Sequence, residues 1–123
     1  MPWLWLPIFA WMAVIFAMSS IPIRQAPGIL DFPFSDKLIH TGEYAVLGFL
    51  IARLVGRRTA GTLVIALTAV LALCYGVTDE IHQLYVPNRH FDLRDMMADL
   101  IGGALGGCVW FIGHRRGLFS RWW

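Results

Sequence analysis

Residues 60–86 read AGTLVIALTAVLALCYGVTDEIHQLYV. Between Leu63 and Val77 this stretch holds no charged side chain, and its acids, Asp79 and Glu80, stand near one end. A helix rises 1.5 Å per residue, so about 20 such residues cross the roughly 30 Å hydrocarbon core of a bilayer. The rest of the chain decides between a membrane and a soluble interior. It has 123 residues, of which 58% are hydrophobic and 15% charged, and its mean hydropathy is +0.62. Small soluble domains bury the smallest share of their surface. This much apolar surface must therefore face lipid.

Working outward, three further runs fit the same template. The first covers about Trp3 to Ser19 and ends at Ser19-Ser20-Ile21-Pro22, where proline cannot continue a helix. Its start carries no Lys or Arg before Arg24 and no A-x-A site follows, so it reads as a retained anchor rather than a cleaved signal. Pro22, Pro27, Pro33 and Gly28 make residues 22–35 an irregular loop. Ser35 or Asp36 is expected to cap the second helix, over about 36–55, which stops at Gly56 before a basic turn at Arg57 and Arg58. The third helix is expected over about 60–86, broken by Pro87. Asp92 and Asp95 read as an acidic start to the fourth, about 93–112. The tail from Gly113 carries Arg115, Arg116 and Arg121, with Trp122 and Trp123 as an interfacial anchor. The expected architecture is one all-α domain, residues 1–123, of four transmembrane helices. No repeat or low-complexity tract interrupts it. Cys74 and Cys108 lie in apolar runs and read as small buried hydrophobes.

Charge placement sets the orientation. Four crossings put the 57–58 turn and both termini on one side. That side holds Arg53, Arg57, Arg58, Arg115, Arg116 and Arg121 and no acid. Arg24, Lys37, Arg89 and Arg94 lie toward the other. Short loops rich in Lys and Arg stay in the cytoplasm, so both termini are expected inside. The net charge of +2 is thus a topology signal, and no nucleic-acid partner is expected.

All eight acids then fall toward the outer side: Asp31, Asp36, Glu43, Asp79, Glu80, Asp92, Asp95 and Asp99. His40, His82 and His90 join them. At 100° per residue, Asp36, His40 and Glu43 share about 60° of the second helix, flanked by Lys37 and Tyr44. Asp79 and Gln83 share a stripe on the third, with Glu80 beside them. Asp95, Asp99, Gly102 and Gly106 share about 60° of the fourth, where glycines allow close helix approach. Glu43 and Asp99 lie about 10 Å deeper than Asp36 and Asp92. A charge at such depth costs at least about 2.5 kcal/mol, so these polar faces should converge in the bundle rather than meet lipid.

Each residue also has a structural role open to it. Asp92 and Asp95 can serve only as caps, and Lys37 can snorkel to the surface. His82 and His90 can be rim residues, and Tyr75 and Tyr85 packing residues. Eight acids against four fixed outer cations leave an excess of four negative charges, to be relieved by protons, His⁺, water or a cation. Carboxylates with His40 could hold Mg²⁺, Mn²⁺ or Zn²⁺, although no H-E-x-x-H spacing is present.

Three linked motifs carry a resemblance: Asp36-Lys37-x-x-His40-x-x-Glu43-Tyr44-x-x-Leu47-Gly48, then Asp79-Glu80-x-x-Gln83, then Pro87-x-Arg89-x-x-Asp92-x-x-Asp95 with Gly102-x-x-x-Gly106. Over about residues 36–107 the chain resembles the VanZ-like family of small bacterial membrane proteins. One departure is Asp99, where the family pattern leads us to expect Asn. The resemblance implies the bacterial cytoplasmic membrane and the cell envelope, since the family is named for a protein associated with teicoplanin resistance. On that basis His40, Glu43, Asp79 and Glu80 are candidates for acid, base or metal-ligand roles. Asp36, Lys37, Tyr44, Gln83, Arg89, Asp92, Asp95 and Asp99 are candidates for substrate binding, with Lys37 and Arg89 facing an anionic headgroup. The expected function is processing of an amphiphilic or lipid-linked envelope substrate by a membrane hydrolase or transferase, with a glycopeptide as the ligand suggested by analogy. The alternatives are a binding or transport element needing a second copy or membrane partner, and a structural assembly subunit.

Overall fold

In the computed structural model, residues 2–21 and 34–119 are described. They form four helices: α1 (Pro2–Ser19), α2 (Ser35–Val55), α3 (Leu63–Gln83) and α4 (Leu93–Arg115). Each is long and apolar enough to cross a membrane, and the described residues hold no strand. Of the irregular loop expected at 22–35, residues 22–33, with Arg24 and Asp31, lie outside the described residues. So does the tail bearing Arg121, Trp122 and Trp123.

Four helix ends differ from expectation. α3 runs 63–83 rather than 60–86. Gly61 takes a positive φ of 68°, which holds residues 60–62 out of the helix. At the other end, Leu84, Tyr85 and Val86 donate to the carbonyls three residues back, a tighter turn than α. The α-helix has thus already ended four residues before Pro87. α2 is preceded by Phe34 in left-handed conformation (φ 65°), and no side chain caps it. Asp36 is instead engaged by Lys37 at 2.7 Å. α4 extends past 112 to Arg115. Its terminator is Gly117, at φ 71°. Leu118 N–H reaches the Gly113 carbonyl and Gly117 N–H the His114 carbonyl, the Schellman pattern that closes a helix on glycine. The expected cap at Asp92 is present, its side chain accepting from Arg94 N–H at 2.8 Å.

α4 is the axis of the bundle. It packs along α2 most extensively and along α3 next, while α1 leans on α2 and α3. Two adjacent glycine stripes make this possible. A Cβ on Gly102 or Gly106 would run into the α2 backbone at Thr41, Ala45 and Phe49. A Cβ on Gly103 or Gly107 would meet Ala69, Ala72, Ile65 and Thr68 of α3. One helix is therefore close-packed on both sides, and the apolar remainder (Ile101, Leu105, Val109) is exposed to what would be lipid.

Ile8, Ile15, Tyr44, Leu47, Ile51 and Ala72 form the main apolar core, and Ala52, Val64 and Trp110 a second one toward the basic end. α1 is tied to it by two long-range bonds. Trp11 Nε1 donates to the Glu43 carbonyl at 2.8 Å, and the Tyr75 hydroxyl donates to the Met12 carbonyl at 2.7 Å. Tyr75 is thus a packing residue, and Tyr85 is 84% exposed.

Candidate functional site

Alternating helix direction brings the C-termini of α1 and α3 to the same end as the N-termini of α2 and α4. Nearly all the acids collect there. Partial positive charge at the two N-termini favours carboxylates in their first turns. That favourable field reaches Asp36 and Asp95, whereas Asp79 and Glu80 stand near the less favourable C-terminus of α3.

Close contact between α2 and the Gly102/Gly106 stripe brings the polar face of α2 against the aspartates of α4. Lys37 is the hub at the rim of this end. Its ammonium donates to Asp95 Oδ1 at 2.5 Å, Asp92 Oδ2 at 2.9 Å and Asp36 Oδ2 at 2.7 Å. An ammonium has three donors, so Lys37 is saturated rather than snorkelling alone. Asp92 lies outside the membrane span. The hydrogen bond from Lys37 holds its carboxyl below the ordinary carboxylate value, aided by Arg94 N–H.

One turn deeper, His40 Nδ1 faces Asp99 Oδ1 at 2.9 Å. With Asp99 as a carboxylate, which only accepts, this contact assigns the proton to Nδ1. The other ring nitrogen, Nε2, then looks toward Asp95 Oδ2 at 3.8 Å. Both residues are buried, and Asp99 is completely so. Gly76 creates the room, since a Cβ there would stand 2.5 Å from Asp99 Oδ2. From α3, Glu80 is fully buried and accepts the Asp92 N–H at 3.1 Å. α3 and the start of α4 are thereby joined across the 84–92 turn.

His40, Glu80 and Asp95 each offer a ligand atom, and these atoms all lie within 4.8 Å of one another. Around them several buried polar atoms have no hydrogen-bond partner among the described residues: Tyr44 Oη, Glu80 Oε1, Asp99 Oδ2, both Gln83 side-chain atoms and both Asp79 oxygens. Asp79 feels the hydroxyl of Ser19, but not at hydrogen-bonding geometry. A buried polar atom without a partner costs about 1–3 kcal/mol. Such a concentration points to water, an ion or a substrate group at this end of the bundle.

The remaining candidates are less central. Asp36 is exposed, and Glu43 is half-buried with no ion pair among the described residues. Arg89 uses Nε and Nη2 on the Ile21 carbonyl, at 3.3 and 3.0 Å. It ties the 84–92 turn to the end of α1 and makes no direct ion pair with a described acid. His82 stacks on Phe16 at 4.1 Å and lies 3.4 Å from the Ser20 hydroxyl, and His90 is exposed.

Sequence reasoning missed Ser19 and Ser20. It read the pair as a helix ending, yet Ser19 is buried beside Asp79 and Ser20 meets His82. Two hydroxyls closing an otherwise apolar span were the available signal.

These features define a class: a four-helix membrane protein with a buried acid–histidine cluster at one end. Within that class, the chain belongs to the VanZ/LLP1 family, whose model matches residues 4–114. The match takes in the first helix as well as the three that build the cluster. No curated protein and no solved structure matches the chain.

Proposed function

We propose that this protein lies in the bacterial cytoplasmic membrane with both termini inside and acts on an amphiphilic or lipid-linked envelope substrate at the outer leaflet. The observation that carries the reading is the set of partnerless buried oxygens on Glu80, Asp79 and Asp99 beside His40. Charges retained at such depth without a full set of partners are costly as architecture and useful as chemistry. Orientation rests on Arg53, Arg57, Arg58, Arg115 and Arg116, which gather at the opposite end.

In this reading Glu80 and His40 exchange protons with the substrate. A carboxylate or imidazole takes a proton from water, whose oxygen attacks a phosphorus or sugar carbon. The bond to the leaving oxygen breaks, and an acid of the cluster returns a proton to it. Arg89 is the better cation for an anionic headgroup, because the three donors of Lys37 are already spent on carboxylates. Lys37 then holds Asp95 in place, and Gln83 and Tyr44 orient the substrate. A teicoplanin-type glycopeptide, or the lipid-linked precursor it recognises, is the ligand suggested by family membership.

A second reading has its own observation. The saturated Lys37 hub also suits an ionic lock that fixes the bundle, with the protein serving as a binding, transport or assembly element beside a second copy or a membrane partner.

Labelling tests the placement. In a background lacking Cys74 and Cys108, His90→Cys should react with an impermeant maleimide in intact spheroplasts, and Arg58→Cys should not. Both positions are exposed in the fold. The reverse pattern would put the cluster in the cytoplasm and end the outer-leaflet proposal. With the placement established, purified protein should release headgroup from a lipid-linked pyrophosphate in liposomes, and His40→Gln should not.

A further inference from the structure

The geometry points to a metal site: we propose that His40 Nε2, Glu80 and Asp95 bind one divalent transition-metal ion of the Zn²⁺ or Mn²⁺ type. This deepens the functional reading and rests on it for the site; with the ion bound, His40 and Glu80 are ligands and the proton exchange falls to the Asp79 carboxyl.

Three residues from three helices meet here, and each has one donor atom engaged by a neighbour and a second left for a ligand. His40 has Nδ1 fixed by Asp99 at 2.9 Å, which leaves the lone pair on Nε2. Asp95 has Oδ1 fixed by Lys37, which leaves Oδ2 at 3.8 Å from that same Nε2. Glu80 has Oε2 fixed by the Asp92 backbone N–H, which leaves Oε1. Glu80 Oε1 also has no hydrogen-bond partner among the described residues, in a residue that is 0% exposed. It is the independent sign that something polar belongs between these groups.

The arrangement follows metal-site logic. A ligating histidine usually hands its other N–H to a carboxylate, which sets its tautomer and raises its basicity. Asp99 stands where that carboxylate would be. Ligands of a tetrahedral ion with bonds of about 2.0–2.1 Å stand about 3.4 Å apart. One ligand atom from each of the three residues lies within 4.8 Å of the others, so small side-chain rotations bring them onto one ion. One imidazole and two carboxylates suit Zn²⁺ or Mn²⁺, whereas an all-oxygen shell suits Mg²⁺ or Ca²⁺. Three protein ligands leave a coordination position open for water or substrate, as in catalytic rather than structural zinc sites.

Charge supports a cation as well. Asp79, Glu80, Asp95 and Asp99 are buried around His40, with Lys37 the one ammonium paired to this cluster among the described residues. A dication bound by Glu80 and Asp95 would offset their mutual repulsion without drawing Lys37 away from Asp36 and Asp92.

The test is metal binding by purified protein in detergent after chelator treatment. Wild type should take up one equivalent of Zn²⁺ or Mn²⁺ and melt at a higher temperature when loaded. Glu80→Gln and Asp95→Asn should each weaken binding at least tenfold, while the exposed control His90→Gln should bind as wild type does. Co²⁺ provides a readout that needs no variant. Wild type should show the intense visible bands of a four- or five-coordinate ion, and a pale spectrum like that of aqueous Co²⁺ would overturn the site. Stoichiometric binding unchanged in both Glu80→Gln and Asp95→Asn would overturn it too. No metal binding, with envelope function still lost in Glu80→Gln, would remove the metal and leave the functional reading standing. Metal bound at this site, with function intact in Glu80→Gln, would do the reverse.

Discussion

Gly106→Leu should prevent the bundle from folding. A Cβ at position 106 would overlap the Ala45 carbonyl of α2 and stand 2.5 Å from the Phe49 nitrogen. These are backbone atoms in the middle of a helix, and no rotamer change moves them aside. Relief requires α2 and α4 to separate along the interface that carries most of the fold and brings Lys37 to Asp95. Overpacking a core costs about 1–3 kcal/mol when side chains can yield, so a collision with backbone should exceed about 3 kcal/mol. The expected result is loss of the monodisperse detergent-purified protein. Gly42→Leu is the matched control, because nothing lies within 4 Å of the Cβ it would add. It should express and melt close to wild type. Equal tolerance of the two changes would mean that α2 and α4 do not touch where described.

Lys37→Met should cost nearly as much for a different reason. Methionine keeps the length and apolar stem of lysine but leaves Asp95, whose side chain is 9% exposed, without the ammonium it meets at 2.5 Å. Removing one partner of a buried ion pair costs about 3–5 kcal/mol. The value here should fall at the low end, about 3 kcal/mol, because Lys37 keeps 22% of its side-chain exposure and Asp36 keeps 59%. A detergent thermal melt reads the loss. Lys37→Arg should recover only part of it, since a planar guanidinium cannot direct donors to three carboxylates as an ammonium does. An unchanged melting temperature in Lys37→Met would show that the hub contributes no stability.

These contrasts show what could be seen in the chain itself. The four spans were legible because lipid demands long apolar runs, and composition alone excluded a soluble interior. The polar faces were legible too: the 100° turn placed His40 with Glu43, and Asp95 with Asp99 above glycine. Pairings were not. Whether Lys37 meets Asp95 or a headgroup depends on the axial register of α2 against α4, and that register is fixed by Gly102 and Gly106 seating on Thr41 and Ala45. The same applies to His40, whose nearest acid proved to be Asp99, the position where the resemblance led us to expect Asn. A carbonyl oxygen of Asn could also accept from His40 Nδ1, and the carboxylate makes that bond charge-assisted. Helix ends were least legible. Pro87 looked like the terminator of α3 and α4 was expected to stop at about 112, but a tight turn ended α3 earlier and Gly117 closed α4 later. Gly113 is instead occupied by packing, with the Phe119 ring against it.

The central claim is that the buried cluster is a working site and not only an ionic lock, and Glu80→Gln tests it most directly. The change keeps size and an acceptor for the Asp92 N–H while removing charge from a crowded acidic cluster. For a working site, the melting temperature in chelator-treated detergent should stay at the wild-type value or rise, because repulsion with Asp95 and Asp99 is relieved. The proposed effect on teicoplanin susceptibility should meanwhile be lost, cells carrying the variant behaving as cells lacking the protein do. A fall in melting temperature that accounts for the lost phenotype would contradict the claim and leave the cluster as architecture.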